Sequence, residues 1–200
     1  MTWDLSDILG LNIGPKKTAA LAQWVQGLYP GGKDRPILVG GSAVELLTGG
    51  AYVTGDLDFV GSVPPAIAQE LKQAGFTREG RHWFHEEGRV FLEFPSAALG
   101  TGEEARERDF DGVTVLIVSP EDLIVDRLSA WLYWSSAIDG VNAYLLYRAV
   151  QDELDIKRLE YRSNNEEVDT ALVSVQALYV KYRGTVPDGE KMETWARNGP

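Results

Sequence analysis

The sequence predicts a mixed α/β core over residues 1–119, with a small mixed β-sheet flanked by helices, followed by a helical subdomain packed on that core over residues 120–200. Three observations lead there. A short apolar run, Pro36-Ile37-Leu38-Val39, ends at Gly40-Gly41 and gives way to helical spacing, the order of a buried strand turning into a helix. Residues 76–118 then switch to strand spacing with turn signals between the runs. Beyond Ser119 almost everything has a helical period.

Taken in order, Thr18 to Leu28 places Leu21, Trp24, Val25 and Leu28 on one helical face, and Pro30-Gly31-Gly32 stops it. After the strand ending at Val39, Ser42-Ala43-Val44-Glu45 has the pattern of a capping box and predicts a helix to about Thr48, closed by Gly49-Gly50. Leu57-Asp58-Phe59-Val60 reads as a second strand with Asp56 at its start, and Pro64 to Ala74 as a helix with prolines near its first turn. Arg81–Glu86, Arg89–Phe94 and Gly112–Val118 are three further candidate strands, with the acidic stretch Gly102–Asp111 expected as a solvated loop or short helix. Ser119-Pro120-Glu121-Asp122 supplies a cap, a proline and first-turn acids to a segment carrying Ile124, Leu128, Trp131 and Leu132. Helices are expected over 139–154, 155–161 and 168–182, and a loose tail from Gly184 to Pro200.

Composition excludes several classes of function. The 200 residues contain no cysteine, so disulfides, thiolate zinc sites, iron–sulfur clusters and cysteine nucleophiles are all ruled out. Thirty acidic against 19 basic side chains give a net charge of −11, shared as −6 over 1–120 and −5 over 121–200. Neither half is a concealed basic domain, which argues against a broad grip on nucleic acid. No apolar run is long enough to span a membrane, and Met1–Asp7 lacks the look of a signal peptide. A cytoplasmic protein with no membrane partner is expected.

Asp56-Leu57-Asp58 is the feature with the most chemistry in it. On a strand, residues i and i+2 face the same way, so two carboxylates would stand side by side with Leu57 and Phe59 on the core side. Adjacent anions repel unless a hard cation lies between them, and carboxylate oxygens suit Mg²⁺. Glu93 adds a third acid: alternation in Arg89–Phe94 places Val90, Leu92 and Phe94 on one face and Glu93 on the other. Upstream, the order strand, Gly40-Gly41-Ser42, helix is that of an anion site, where glycines let backbone approach a phosphate. Acids that hold metal beside a phosphate-binding turn suit in-line phosphoryl or nucleotidyl transfer.

The paired segments Val39-Gly40-Gly41-Ser42-Ala43 and Gly55-Asp56-Leu57-Asp58-Phe59-Val60 resemble the hG[GS]…D-x-D-h signature of the DNA polymerase β-like nucleotidyltransferase superfamily. Val118 to Leu128, Val-Ser-Pro-Glu-Asp-Leu-Ile-Val-Asp-Arg-Leu, is similar to the segment that opens the helical half of small bacterial members, the AbiEii-type toxin-like proteins and minimal nucleotidyltransferases. The resemblance covers roughly residues 36–150. It implies that Gly40, Gly41 and Ser42 bind the triphosphate of an NTP, ATP among them, that Asp56 and Asp58 hold one or two Mg²⁺ ions, and that Glu93 completes the metal-binding triad as candidate base. It also implies that Arg127 and Asp139 complete the nucleotide pocket from the helical side, although the arginine–aspartate cluster of those relatives is only thinly recognisable around Asp139. The acceptor classes it leaves open are an RNA end such as a tRNA end, a protein side chain or a small molecule. One version is the toxin of a toxin–antitoxin pair, which has a cognate antitoxin as partner.

Blander roles stand beside these. Asp56 and Asp58 could be an acidic turn, Ser42 a plain helix cap, Glu93 a solvent-facing strand residue and Asp139 an N-cap, with Arg127 paired to Asp122, Glu121 or Asp126. His82 and His85 would point to opposite faces of one strand, a poor start for a zinc site. Trp131, Tyr133, Trp134, Tyr144 and Tyr147 are expected mostly between helices, and the basic group Lys157, Arg158, Arg162, Lys181 and Arg183 as a solvated face. A catalytically idle member of the fold, acting as a binding or regulatory module, is the competing function.

Overall fold

The computed structural model describes residues 4–32 and 34–200, which form two compact units that meet in sequence between Ser119 and Pro120. The first unit runs α1 (Leu5–Leu9), α2 (Pro15–Gly27), β1 (Ile37–Val39), α3 (Gly40–Leu47), β2 (Asp56–Val60) and α4 (Pro65–Gln73). It continues with β3 (Thr77–Glu79), β4 (His82–His85), β5 (Val90–Ser96), β6 (Ala105–Phe110) and β7 (Val113–Val118). These strands make one mixed sheet in the order β3-β4-β5-β2-β1-β7-β6. At its centre β2 is antiparallel to β1 and parallel to β5, while β1 is parallel to β7.

The core lies under the face that carries Leu57, Phe59, Leu92 and Ile117, each no more than 4% exposed. Helix α2 covers part of this sheet with Ala19, Ala22 and Val25, and ties itself to β7 through Gln26. The Gln26 amide nitrogen donates to the Leu116 carbonyl at 2.7 Å, and its oxygen accepts from the Leu116 N–H at 2.9 Å. A buried amide that is satisfied in both directions pins helix to strand without an orphaned polar group.

Helix α3 starts earlier than the capping-box pattern implies. Gly40 adopts φ +63°, so the chain turns directly out of β1 and Val39 takes the cap position. Ser42 is thus the third helical residue; its buried hydroxyl donates to the Val39 carbonyl at 3.1 Å. Residues 105–110, expected as loop or helix, form β6 because every position registers with β7, from Ala105↔Val118 to Phe110↔Val113. Pairing with a preformed strand overrides the high charge of that segment.

The second unit comprises α5 (Pro120–Trp134), α6 (Ala137–Val150), α7 (Ile156–Asn165), α8 (Asp169–Lys181) and α9 (Gly189–Arg197). The last corrects the expectation of a loose tail: Asp188 caps α9 by accepting from Lys191 N–H, and Trp195 lies 4.6 Å from the Trp131 ring, whose indole N–H donates to the Ala196 carbonyl at 2.7 Å. Trp131, Tyr144 and Tyr147 are core, whereas Tyr133 and Trp134 are exposed. Of the basic group, Lys157, Lys181 and Arg183 are exposed as expected, whereas Arg158 and Arg162 are not part of a solvated face. Arg158 and Arg162 both reach Asp122, at 2.5 and 2.8 Å, and Asp122 is wholly buried. No helix among the described residues is long and apolar enough to cross a membrane.

Candidate active site

The site is built where β1 ends and β2 begins. Register places Asp58 opposite Val39 on one side and opposite Glu93 on the other, and Asp56 opposite Phe91. Registered neighbours share a face, so Asp56, Asp58 and Glu93 all stand on the side away from Leu57 and Leu92. Asp56 is exposed; Asp58 and Glu93 are half-buried.

Gly40 is fitted to Asp58. A β-carbon at residue 40 would lie 2.2 Å from Asp58 Oδ2 and 2.9 Å from its Cγ, a contact no side chain survives. Only glycine supplies both the left-handed turn and the room for the carboxylate. At Gly41 a β-carbon would meet Thr54 Oγ1 and Tyr52 Cε1, both at 3.3 Å, so the loop before β2 lies against the glycine turn.

Glu45 holds that loop. The carboxylate is wholly buried, accepting from the Thr18 hydroxyl at 3.1 Å and from the Thr54 N–H at 3.2 Å, and Thr54 Oγ1 in turn accepts from the Asp56 N–H at 3.4 Å. One acid thus links α2, α3 and the entry to the acidic strand, a role that replaces its expected part in a capping box. Burial raises the Glu45 pKa above its usual 4.5, against the opposing effect of the two hydrogen bonds. Between pH 4.5 and the raised native value the native state binds more protons than the unfolded chain, so stability is full below pH 4.5 and is lost as pH rises through that interval. Glu45→Gln removes the charge and keeps one oxygen to accept from the Thr54 N–H, while its amide nitrogen donates to the Thr18 hydroxyl instead of accepting from it; its Tm, followed from pH 4 to 8, is expected to lose this slope.

Glu93 does not point at the aspartates alone. Its Oε1 lies 2.8 Å from Arg81 Nε and 3.5 Å from His82 Nε2. The donor set is oxygen-only and shares one face, which suits a hard cation such as Mg²⁺. Among the described residues, however, no three His, Asp or Glu side chains converge to grip an ion. By residue type and face the acids fit, and the Glu93 carboxylate is neutralised by Arg81 instead. With Arg81 61% exposed, that pair is worth about 0–1 kcal/mol, a weak restraint.

Gly40, Gly41, Ser42, Asp56, Asp58 and Glu93 are thus brought together within the first unit. Arg127 and Asp139 belong to the second, where they pair with each other at 2.7 Å. Arg127 also pairs with Asp126, and Ser136 Oγ donates to Asp139 Oδ2 at 2.5 Å. Ser136, not Asp139, is at the cap of α6. Arg81 and Glu45 were not singled out as site residues from sequence. Glu45 had a signal, a lone acid in the otherwise apolar Ala43–Leu47, while Arg81 had none because its partner is 12 residues away across a turn.

A mixed sheet flanked by helices, with acids registered across its central parallel pair beside a glycine turn, is a nucleotidyltransferase-like fold. A crystal structure of an antigenic nucleotidyltransferase-like protein from Paracoccidioides brasiliensis superposes on 94% of this chain and 93% of its own, with a TM-score of 0.56 and 21% identity. No protein-family model and no curated protein matches the sequence.

Proposed function

We propose that this protein is a Mg²⁺-dependent nucleotidyltransferase that moves a nucleoside monophosphate from an NTP to a hydroxyl acceptor. The observation that carries the reading is the Gly40–Asp58–Glu93 arrangement: a turn that tolerates no side chain, against an acid registered with a second acid. Asp56 and Asp58 would hold Mg²⁺, with Glu93 joining them on release from Arg81. The ion, when bound, neutralises charge on the triphosphate and orients it for in-line attack. The glycine turn at Gly40-Gly41 lets the phosphates approach the backbone closely. In the transfer the acceptor oxygen bonds the α-phosphorus and the bond from that phosphorus to the α–β bridging oxygen breaks. Pyrophosphate leaves with the electron pair, and the hydroxyl proton passes to the Glu93 carboxylate.

Incubation with Mg²⁺ and each labelled NTP, with and without cell RNA, lysate protein and small-molecule extract, tests this. Wild type is expected to transfer label, and Asp56→Asn/Asp58→Asn to lose at least 10²-fold of the rate, the order expected for loss of a principal electrostatic contribution. Label transfer that persists in the double variant places the chemistry elsewhere. The Arg81–Glu93 ion pair favours a second reading, a module that binds nucleotide without transferring it. NTP binding with no label on any acceptor would select that one.

A further inference from the structure

Arg81 stands beside the row of acids with much of its side chain uncommitted. Its carbonyl accepts from the Phe94 N–H at 3.2 Å, which ties the backbone just before β4 to the strand that carries Glu93. Nε lies 2.8 Å from Glu93 Oε1, and the same N–H is 3.3 Å from His82 Nε2. The terminal nitrogens, Nη1 and Nη2, make no hydrogen bond to another described residue. The planar fork of the guanidinium, which matches the edge of a carboxylate or a phosphate, is therefore open. Arg78, close by in sequence, is committed elsewhere: its Nε donates to the Gly80 carbonyl at 2.8 Å, and its guanidinium lies 5.4 Å from the Trp83 ring centroid.

Asp58 and Glu93 are register partners on adjacent strands, and like charges opposite each other repel. Arg81 relieves that repulsion by neutralising Glu93. Passed to a divalent cation, Glu93 is neutralised as well, so the cation and Arg81 compete for one carboxylate. A triphosphate that arrives with the ion carries more negative charge than a single divalent ion offsets, and a guanidinium is suited to the remainder. The strand order β4-β5-β2-β1 sets Glu93 and Asp58 between Arg81 and the glycine turn after β1, so Arg81 borders the acids from the side opposite that turn.

Resting on the proposed transfer reaction, we infer that Arg81 exchanges partners: it holds Glu93 in the metal-free site, and turns to the polyphosphate of the NTP when Glu93 passes to Mg²⁺. Arg81 is then a guard on the third acid and a phosphate-binding residue in turn. The exchange makes and breaks ion pairs only; no covalent bond forms and no proton moves. Its consequence is that the carboxylate which receives the acceptor's proton is freed only in a loaded site.

Mn²⁺ serves as the metal probe, because it takes the same oxygen ligands as Mg²⁺ and its free form is read by electron paramagnetic resonance. Titrated into the full chain without nucleotide, Mn²⁺ is expected to bind about two- to fivefold more tightly to Arg81→Gln than to wild type, the gain from losing a competitor whose exposed pair is weak. In a Glu93→Gln background the same substitution is expected to leave Mn²⁺ binding unchanged. Nonhydrolysable analogues of the four NTPs, titrated with Mg²⁺ by calorimetry, are expected to bind about tenfold more weakly to Arg81→Gln, with Arg81→Lys between, since lysine keeps the charge without the fork. Opposite changes in metal and nucleotide affinity are not what a merely structural arginine produces. If wild type binds an analogue and Arg81→Gln binds it equally, or Mn²⁺ binds Arg81→Gln no more tightly than wild type, the exchange is refuted and the transferase reading stands. A gain in Mn²⁺ affinity that persists in the Glu93→Gln background is a general charge effect and refutes it too. If wild type binds none of the analogues, the transferase reading falls and the exchange with it.

Discussion

Gly40→Ala is expected to abolish nucleotide transfer and to destabilise the first unit by about 2–5 kcal/mol. The left-handed φ of +63° accounts for about 1–2 kcal/mol of that. The remainder, about 1–3 kcal/mol, comes from forcing a methyl group into space already taken by Asp58. Asp58 Oδ2 would be 2.2 Å away and even its Cβ 3.0 Å, so rotating the carboxylate gives no complete escape. Because Asp58 is registered with Val39 on β1, relief has to come from shifting one strand against the other, which carries the acid off the site. Denaturant unfolding and NTP binding measured together check this. Gly41→Ala is the control, since its nearest neighbours are at 3.3 Å and its φ is not left-handed; it is expected to cost less than half as much. Asp58→Ala combined with Gly40→Ala should recover part of the stability and none of the transfer, because it removes the two closest overlaps together with a proposed metal ligand.

Asp122→Ala is expected to cost about 3–5 kcal/mol, a large share of the roughly 5–15 kcal/mol that holds an ordinary domain together. Asp122 has no exposed side-chain area, and Arg162, facing it at 2.8 Å, is 7% exposed. Removing the carboxylate takes the 2.8 Å partner from that guanidinium, which keeps its contact with Glu166 at 3.3 Å. The adjoining Glu121 is equally buried and accepts from the Asp155 N–H at 2.9 Å, so the start of α5 is fastened to the start of α7 at two points. Arg162→Leu added to Asp122→Ala should return part of the loss, because a buried apolar pair costs less than a buried guanidinium that has lost its buried carboxylate. Urea unfolding of the three variants measures the coupling; strict additivity would show that the pair does not act as a unit.

These two sites differ in how far they could be foreseen. The glycine turn and the D-x-D strand are local patterns: Gly40-Gly41 after an apolar run, and carboxylates at i and i+2, follow from the rules of a single strand. Glu93 was placed on the right face by alternation alone, since Val90 and Leu92 are 2% and 1% exposed. Its registration with Asp58 was not legible, because 35 positions separate the two residues and a parallel pair carries no turn to set its register. Asp122, read as a first-turn acid that suits the helix dipole, and Arg162, read as part of a wet basic face, gave no hint of each other. Both lie on ordinary helical segments 40 positions apart.

Segments whose structure depends on a neighbour were misread for the same reason. Ala105–Phe110, with four charged residues in six, has the composition of a loop and becomes a strand by pairing with β7. Gly189–Arg197 is a helix that packs Trp195 beside Trp131, some 64 positions earlier. By itself the amino-acid order determined the α/β-then-helical layout, the absence of thiol chemistry and the candidate acids with their faces, since each depends on residue type and short-range periodicity. Only tertiary structure decided which acids stand together, that Glu93 is held by Arg81, and that Glu45 anchors the loop before Asp56. Those depend on strand register and helix packing across long stretches of chain, where the energy lies in contacts between residues and not in the residues one by one.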